Sequence, residues 1–244
     1  SDNTIGMYIN TNRIIKTGLL LCSLLLFAVY ANAQARYLGE FGLLGGVSYY
    51  NGDANSTKIF KENRPAFGGL LRMHVTDRFM IKLDLIRGGT AGDTRNFENL
   101  LPNGQQADFK QKFWDIGFHF EHNFLKFGMD SWDREKKRHT PYILLGPGMT
   151  IYEQWKGNET TFNLTFGVGY KFKLSDRFNV GFEWSMRKLF VDDFDVTNSQ
   201  NGILNDPYRM GYSWIKNNDY YTCAFVFISV DLLKRKGACK TLQF

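Results

Sequence analysis

The amino-acid sequence predicts an all-β fold, an eight-stranded antiparallel transmembrane β-barrel preceded by a cleavable signal peptide. Large apolar side chains alternate with small or polar ones along most of the chain, which indicates strands with two different faces. Aromatic residues make up 16% of the sequence although its mean hydropathy is negative, as expected for strands that are apolar on one face only. Short connections between these strands alternate with long ones, which is typical of outer-membrane barrels.

The alternation is clearest in the segment from Phe162 to Leu174. Its even positions are all apolar, and its odd positions are Asn, Thr, Gly or Lys. The segments from Trp114 to Phe120 and from Phe178 to Met186 repeat the pattern, with charged residues among the polar positions. A polar face that combines glycines with charges of both signs suits the interior of a narrow closed barrel. The aromatic face then meets lipid, and closure leaves no unpaired strand edge in the membrane.

The strand boundaries follow from this alternation and from the turn residues. Thr76–Arg78 and Ser175–Arg177 are predicted tight turns. Residues 125–140 lie on the same side of the membrane as these turns, yet they are long and highly charged. We expect both termini to be periplasmic, so that the long connections face the cell exterior. The predicted strands cover residues 37–50, 66–75, 79–88, 110–124, 141–152, 161–174, 178–190 and 219–232, and the predicted long external connections cover 51–65, 89–109, 153–160 and 191–218.

Residues 1–33 carry the features of a secretory signal peptide. A basic start precedes a short apolar run from Gly18 to Tyr30, and Ala31-Asn32-Ala33 offers small residues for a signal peptidase. An uncleaved anchor helix is the alternative, but the run is shorter than the roughly 20 residues that span a bilayer. The outer-membrane barrel is therefore assigned to residues 34–244. Its two cysteines, Cys223 and Cys239, either form a disulfide in an oxidising compartment or, as we prefer, stay unpaired.

The inward polar face is expected to hold a network of ion pairs. An eight-stranded barrel leaves little more than side-chain space inside, and buried charges require partners. The interior is therefore expected to be filled, with a channel for small solutes as the alternative. The predicted lumen network comprises Glu40, Arg72, Lys82, Asp84, Asp115, His119, Glu121, Lys171, Glu183 and Arg187, joined by His74 and Lys173.

No motif in the sequence predicts catalysis, a cofactor or a metal site. Phosphate loops, paired Cys-x-x-Cys ligands, nucleophile elbows and twelve-residue calcium loops are absent from the sequence. His119 and Glu121 share the inward face whereas His122 points outward, so the three cannot converge on one metal without a bulge. A lipase-like site would need Ser48 or Ser185 to meet His119 by accident of register. We therefore expect no enzymatic activity; a lipid-modifying enzyme that depends on His119 is the alternative.

The first predicted strand carries a distinctive motif. It opens with Gly39-Glu40-Phe41-Gly42 and ends with Gly45-Gly46-Val47-Ser48-Tyr49-Tyr50-Asn51-Gly52-Asp53. Phe67-Gly68 then enters the second strand, and Asp77-Arg78-Phe79 forms the turn that follows. Together these residues resemble the PorG family of small outer-membrane barrels, which are associated with type IX secretion and gliding. The resemblance covers the chain from Gln34 to the last strand.

The resemblance implies a structural component of the type IX protein secretion machinery that anchors periplasmic ring components to the outer membrane. Its implied partners are periplasmic secretion-ring proteins, both lipoprotein and soluble subunits, together with outer-membrane lipids. The contacts would fall on the charged 125–140 connection and on the basic tail that follows the last strand. The candidate partner contacts are Asp130, Asp133, Arg134, Glu135, Lys136, Lys137, Arg138, Lys234, Arg235 and Lys236.

Charge and loop composition leave one alternative function. The formal net charge is +6, but on an exported barrel basic clusters meet a partner or lipid headgroups, so no nucleic-acid partner is predicted. The alternative is a generic small outer-membrane barrel that acts in adhesion or membrane stabilisation through its external loops. The aromatic residues of those loops suit either an interaction surface or an interfacial girdle. They are Phe190, Phe194, Tyr208, Tyr212 and Trp214.

Overall fold

Eight antiparallel strands form a closed barrel in the computed structural model, which describes residues 37–51, 62–93, 108–129, 134–154, 157–191, 194 and 219–234. Each strand pairs with its neighbours in sequence, and β1 pairs with β8 to close the sheet. The predicted fold class is therefore confirmed. The strands are β1 (Tyr37–Asn51), β2 (Arg64–His74), β3 (Phe79–Asp93), β4 (Asp108–Asn123), β5 (His139–Gln154), β6 (Gly157–Lys173), β7 (Phe178–Leu189) and β8 (Tyr220–Lys234).

The strands turn one face into the barrel and the other outward. Along β4, Asp115 and His119 are fully buried whereas Trp114 and Phe120 are exposed. The outer surface is apolar on every side, and Phe162 is 71% exposed. In a water-soluble protein the large apolar side chains are mostly buried and the charged ones exposed, so this distribution is the reverse. An apolar exterior around a charged interior is the side-chain distribution of an outer-membrane-type barrel.

The two ends of the barrel are built differently. We call the end that holds the start of β1 and the finish of β8 the terminal end, and the opposite end the far end. The β2–β3 and β6–β7 turns lie at the terminal end. Thr76 Oγ1 accepts a hydrogen bond from the backbone N–H of Phe79 (2.9 Å), and Ser175 Oγ accepts one from that of Phe178 (3.3 Å). These equivalent side-chain bonds shape both turns without a glycine.

The β5–β6 connection corrects one prediction. Residues 153–160 are predicted as a long external connection, but the two strands stay paired as far as Gln154↔Gly157. That prediction is wrong. It rests on the polarity of residues Asn158 to Thr160, since a polar stretch of sequence usually indicates a loop. Outside a membrane a strand pair can be polar on both faces, so pairing continues there. Gly157 has φ of +134°, a conformation that favours glycine.

Other predictions meet a boundary shift or lie outside the described residues. β3 runs to Asp93, beyond the predicted end at residue 88. The predicted leader, residues 1–33, lies outside the described residues. Cys223 is a free buried thiol within the described part of the chain, whereas Cys239 lies outside it, so their pairing stays a prediction. None of the described residues belongs to a helix long and apolar enough to cross a membrane.

Candidate functional site: the lumen and the two ends of the barrel

The ten residues of the predicted lumen network all lie inside the barrel. Four cations, five carboxylates and His119 are buried there and face one another across the interior. Buried charge is costly unless it is paired and hydrogen-bonded. The contacts that provide this pairing form three groups between the terminal end and the far end.

Arg72 is the centre of the first group. Its Nη1 lies 2.6 Å from Glu40 Oε1, and its Nε lies 2.8 Å from Glu121 Oε2. Lys171 pairs with the other oxygen of Glu121, and the Arg72 guanidinium lies 4.4 Å from the centre of the Phe227 ring. These residues come from β1, β2, β4, β6 and β8, so the first group ties five strands together across the lumen.

Lys82 and Glu183 form the second group. Lys82 Nζ lies 2.6 Å from Glu183 Oε1 and 3.0 Å from Asp84 Oδ2. His119 Nδ1 lies 3.3 Å from the same Asp84 oxygen. The Tyr142 hydroxyl donates a hydrogen bond of 2.9 Å to Glu183 Oε2, and the arginine of the first group reaches that oxygen at 3.9 Å. The two groups are therefore continuous.

Asp115 is the centre of the third group, which lies nearer the far end. Its Oδ1 accepts a hydrogen bond of 2.9 Å from Arg187 Nε. Its Oδ2 accepts bonds from the Tyr221 hydroxyl (2.6 Å), Asn163 Nδ2 (2.7 Å) and Thr150 Oγ1 (2.9 Å). Alternation places these three uncharged donors on the inward face, but nothing in the sequence distinguishes them from other inward polar residues.

A possible set of metal ligands lies at the terminal end of the lumen. Glu40, His74 and Asp231 bring one ligand atom each within 4.8 Å of one another, and these residue types bind divalent metals. Lys173 already pairs with Asp231, however, and Arg72 pairs with Glu40. Because neighbouring cations compensate both carboxylates, we assign the three residues to the ion-pair network.

Inward glycines make room for the larger side chains of the lumen. A Cβ atom at Gly169 would overlap the Tyr142 ring, and one at Gly117 would overlap His119 and Asp84. Glycine is therefore the residue that these two positions allow. The described interior of the barrel is filled by side chains that fit one another.

The described residues of the β4–β5 connection, 124–129 and 134–138, fold across the terminal end, and we call them the capping connection. Phe127 is 6% exposed and enters the mouth of the barrel. The Nζ atoms of Lys171 and Lys173 lie 5.1 and 5.4 Å from the centre of its ring. These distances fit cation–π contacts, so the aromatic ring closes the terminal end and covers two lumen cations.

Contacts with neighbouring turns hold the capping connection in place. Lys136 Nζ lies 3.3 Å from Asp77 Oδ1 in the β2–β3 turn. The backbone N–H of Phe127 donates to Asp77 O at 3.3 Å, and that of Lys173 donates to Arg138 O at 2.6 Å. The described part of the connection is thus attached to the barrel through side chains and backbone alike.

The candidate partner contacts occupy different environments. Arg134, Glu135, Lys137 and Arg138 are exposed on the capping connection, whereas the Lys136 side chain is only 6% exposed because it pairs with Asp77. Lys234 ends β8, and its side chain lies outside the described residues. The remaining candidates, Asp130, Asp133, Arg235 and Lys236, also lie outside them.

Phe194 closes the far end. The side chain is fully buried, and its ring stacks on Tyr221 with centroids 5.6 Å apart. Phe113 and Tyr152 complete the cluster, and the Phe194 N–H donates to Asp219 Oδ2 at 3.1 Å. The expectation that Phe194 lies on an interaction surface or in a girdle is therefore wrong. A loop aromatic that returns to the lumen has the same sequence signal as one that faces outward.

The described residues do not form a pair of serine nucleophile and histidine base. Ser185 Oγ accepts a hydrogen bond from Arg187 Nη1 at 3.0 Å, and Ser48 Oγ donates to a β3 carbonyl at 2.6 Å. His119 faces a carboxylate of the lumen. His122 packs against phenylalanines of the outer surface, so it does not join His119.

Solved structures of small barrels are similar to this chain in overall shape. Ail, the attachment invasion locus protein of Yersinia pestis, is 11% identical with a TM-score of 0.45, covering 81% of this chain and 100% of Ail. Neisserial surface protein A is 10% identical with a TM-score of 0.44, covering 81% and 98%. The N-terminal barrel domain of Pseudomonas aeruginosa OprF is 9% identical with a TM-score of 0.43, covering 79% and 97%. Similarity at this level carries no information about function.

Sequence comparison leads to a family. No curated protein matches the chain significantly. A family model described as a domain of unknown function, DUF6089, matches residues 17–239, which is nearly the whole sequence. This chain belongs to the DUF6089 family.

Proposed function

We propose that this chain is a structural component of a type IX secretion machinery in the outer membrane, and that it anchors periplasmic ring proteins at its terminal end. The proposed role is non-enzymatic and needs no cofactor. The capping connection is the observation that carries the proposal. It is long and charged, yet its described residues are folded against the barrel rather than extended from it.

A partner of the terminal end would meet a surface that is already organised. Phe127 and Lys136 use their side chains to attach the capping connection to the barrel, which leaves Arg134, Lys137 and Arg138 exposed. Fixing a charged surface before binding reduces the conformational entropy that association must overcome. Three cations on one small element favour an acidic partner surface.

The first-strand motif supports the proposal through its resemblance to PorG. Glu40 pairs with Arg72, and Tyr49 accepts a hydrogen bond of 2.9 Å from Trp184 Nε1. A Cβ atom at Gly46 would overlap the backbone of β8. The residues that resemble the family thus hold this barrel together. Because side chains fill the described lumen, the proposed role does not include transport through the barrel.

Charge reversal on the capping connection tests the proposal. The tagged chain is expressed in its native host, and proteins that co-purify with it are identified from solubilised membranes. Wild type is expected to recover periplasmic ring proteins, and Arg134→Glu/Arg138→Glu is expected to lose most of this recovery because both cations lie on the proposed contact. The control is Glu153→Lys/Glu159→Lys, which reverses two charges of the opposite sign at exposed residues of the far end.

Two results would contradict the anchoring role. One is recovery of no ring protein by wild type together with intact secretion after deletion of the gene. The other is equal recovery by the charge-reversed variant and the control. Replacement of residues 195–218, with Phe194 retained, distinguishes the anchoring role from the alternative of an adhesion barrel. An anchor is expected to keep its function after this change, whereas an adhesin is expected to lose it.

A further inference from the structure

A concave basic site lies on the outer wall of the barrel near the far end, away from the lumen and the capping connection. It is a cavity of about 320 Å³ formed where β2, β3 and β4 run side by side. Gly89 contributes no side chain to its floor, and Arg64, Arg87, Lys110 and Lys112 surround it. We call this cavity and its four cations the basic notch.

The charge of the basic notch is not compensated within the described part of the chain. Arg87, Lys110 and Lys112 are exposed, and none of the four cations has an ion pair with a described carboxylate. Glu153 lines the adjoining groove with Arg87 and Lys112 without pairing with either. Four like charges around one cavity repel one another, and a bound anion would remove this repulsion.

The position of the notch indicates where the anion comes from. The outward apolar row of β3 ends at Leu85, and that of β4 ends at Trp114. Arg87 and Lys112 are the next outward residues, roughly 7 Å further along their strands. The headgroup layer occupies roughly 5–8 Å on each side of the hydrocarbon core. The cations therefore lie at the level of the lipid headgroups.

Neighbouring aromatic residues extend the site toward the acyl chains. Phe67 lines the cavity and is 59% exposed on the outer surface. The Arg87 guanidinium lies 5.1 Å from the centre of the Trp114 ring, which holds the cation at the edge of the apolar band. A ligand in the notch thus meets cations on one side and apolar surface on the other.

We infer that the basic notch binds the phosphorylated headgroup of a membrane lipid in the leaflet at the far end. Phosphate oxygens accept charge-assisted hydrogen bonds from Arg and Lys, and the acyl chains of the same lipid cover Phe67 and the apolar row below it. The inference concerns lipid binding by the barrel alone, so it holds or fails independently of the secretion partners.

Lipid titration with the purified full-length barrel in detergent tests the inference. The probe is diphosphorylated lipid A, and bound lipid is counted by native mass spectrometry. Wild type is expected to retain lipid A and to bind the same glycolipid without phosphates at least about tenfold more weakly. Arg87→Gln/Lys112→Gln is expected to lose about tenfold or more in lipid A affinity. Arg78→Gln/Arg177→Gln removes the same charge from exposed residues of terminal-end turns and is expected to bind like wild type.

Each other outcome overturns the inference. Equal losses in both double variants would show attraction to net charge rather than a site. Equal binding of the phosphate-free glycolipid would show that phosphate is not recognised. Displacement of lipid A by millimolar inorganic phosphate would assign the notch to a free anion. Circular dichroism of the variants checks that exposed substitutions leave the barrel folded.

Discussion

Arg72 shows how much a single lumen residue contributes, because it contacts two buried carboxylates at once. Replacement by Met would leave Glu40 and Glu121 without their shared cation. Removing one partner of a buried ion pair typically costs about 3–5 kcal/mol, so we expect Arg72→Met to lower the free energy of unfolding by about that amount in urea titrations in lipid vesicles. Arg78→Met, at an exposed turn residue, is the matched control.

The neutral replacement Glu40→Gln provides the complementary test. Added to Arg72→Met, it removes the carboxylate that has lost its arginine, whereas Glu121 keeps its pair with Lys171, and it is expected to recover part of the lost stability. If Arg72→Met is as stable as its control, the first lumen group does not stabilise the barrel.

Gly169 carries a second prediction at this scale. A methyl group there overlaps the Tyr142 ring, so we expect Gly169→Ala to lower the free energy of unfolding by about 1–3 kcal/mol. Gly45→Ala is the control, because a Cβ atom at Gly45 meets nothing within 4 Å. Shortening the ring partner with Tyr142→Leu is expected to reduce the cost of Gly169→Ala. Equal stabilities of the two alanine variants would contradict the packing argument.

Alternation alone places the ten network residues on the inward face, because side-chain direction follows from strand parity. It does not say which residues meet. Lys82 and Glu183 pair although 101 positions separate them, and their contact depends on the stagger of the eight strand pairs that close the barrel. Uncharged partners such as Tyr221 were missed for the same reason, since alternation marks every inward polar residue alike.

Among the elements, the connections were harder to predict than the strands. Length and charge distinguish the capping connection in the sequence, but its attachment depends on Asp77, which lies in another turn. The β5–β6 hairpin shows the opposite error, since polar residues after Glu153 continue the strand pairing. Local sequence reports the polarity of a connection, whereas its fold depends on what lies beside it in space.

Phe127 provides the prediction at the element scale. We expect Phe127→Ala to detach the capping connection, because its ring fills the mouth beneath Lys171 and Lys173. Trypsin should then cleave several-fold faster after Arg134, Lys137 or Arg138, with the barrel core still intact on gels. Phe124→Ala is the control, since Phe124 is 49% exposed on the outer surface. Unchanged cleavage in Phe127→Ala would show that the turn contacts suffice.

In the part of the chain that the structure describes, aromatic side chains cover both ends of the barrel and polar side chains fill the space between them. Phe127 closes the terminal end, Phe194 closes the far end, and three groups of paired charges occupy the space between. We therefore expect no steady ion conductance from the purified protein in planar bilayers. Phe127→Ala/Phe194→Ala is expected to stay closed as well, because the ion pairs remain. Stepwise conductance in wild type would contradict the filled lumen.

Closure of the sheet also determines when the chain can finish folding. Gly39 in β1 pairs with Leu232 in β8. The edge of the first strand is therefore covered only when the last strand has paired with it. Until β8 arrives, the edge is open to other chains and the carboxylate of Glu40 lacks its bond from Ser229. Pairing across such a sequence distance is slow. We therefore expect a chain that lacks its last strand to aggregate through the uncovered edge of β1, and the barrel to close only after β8 has been delivered.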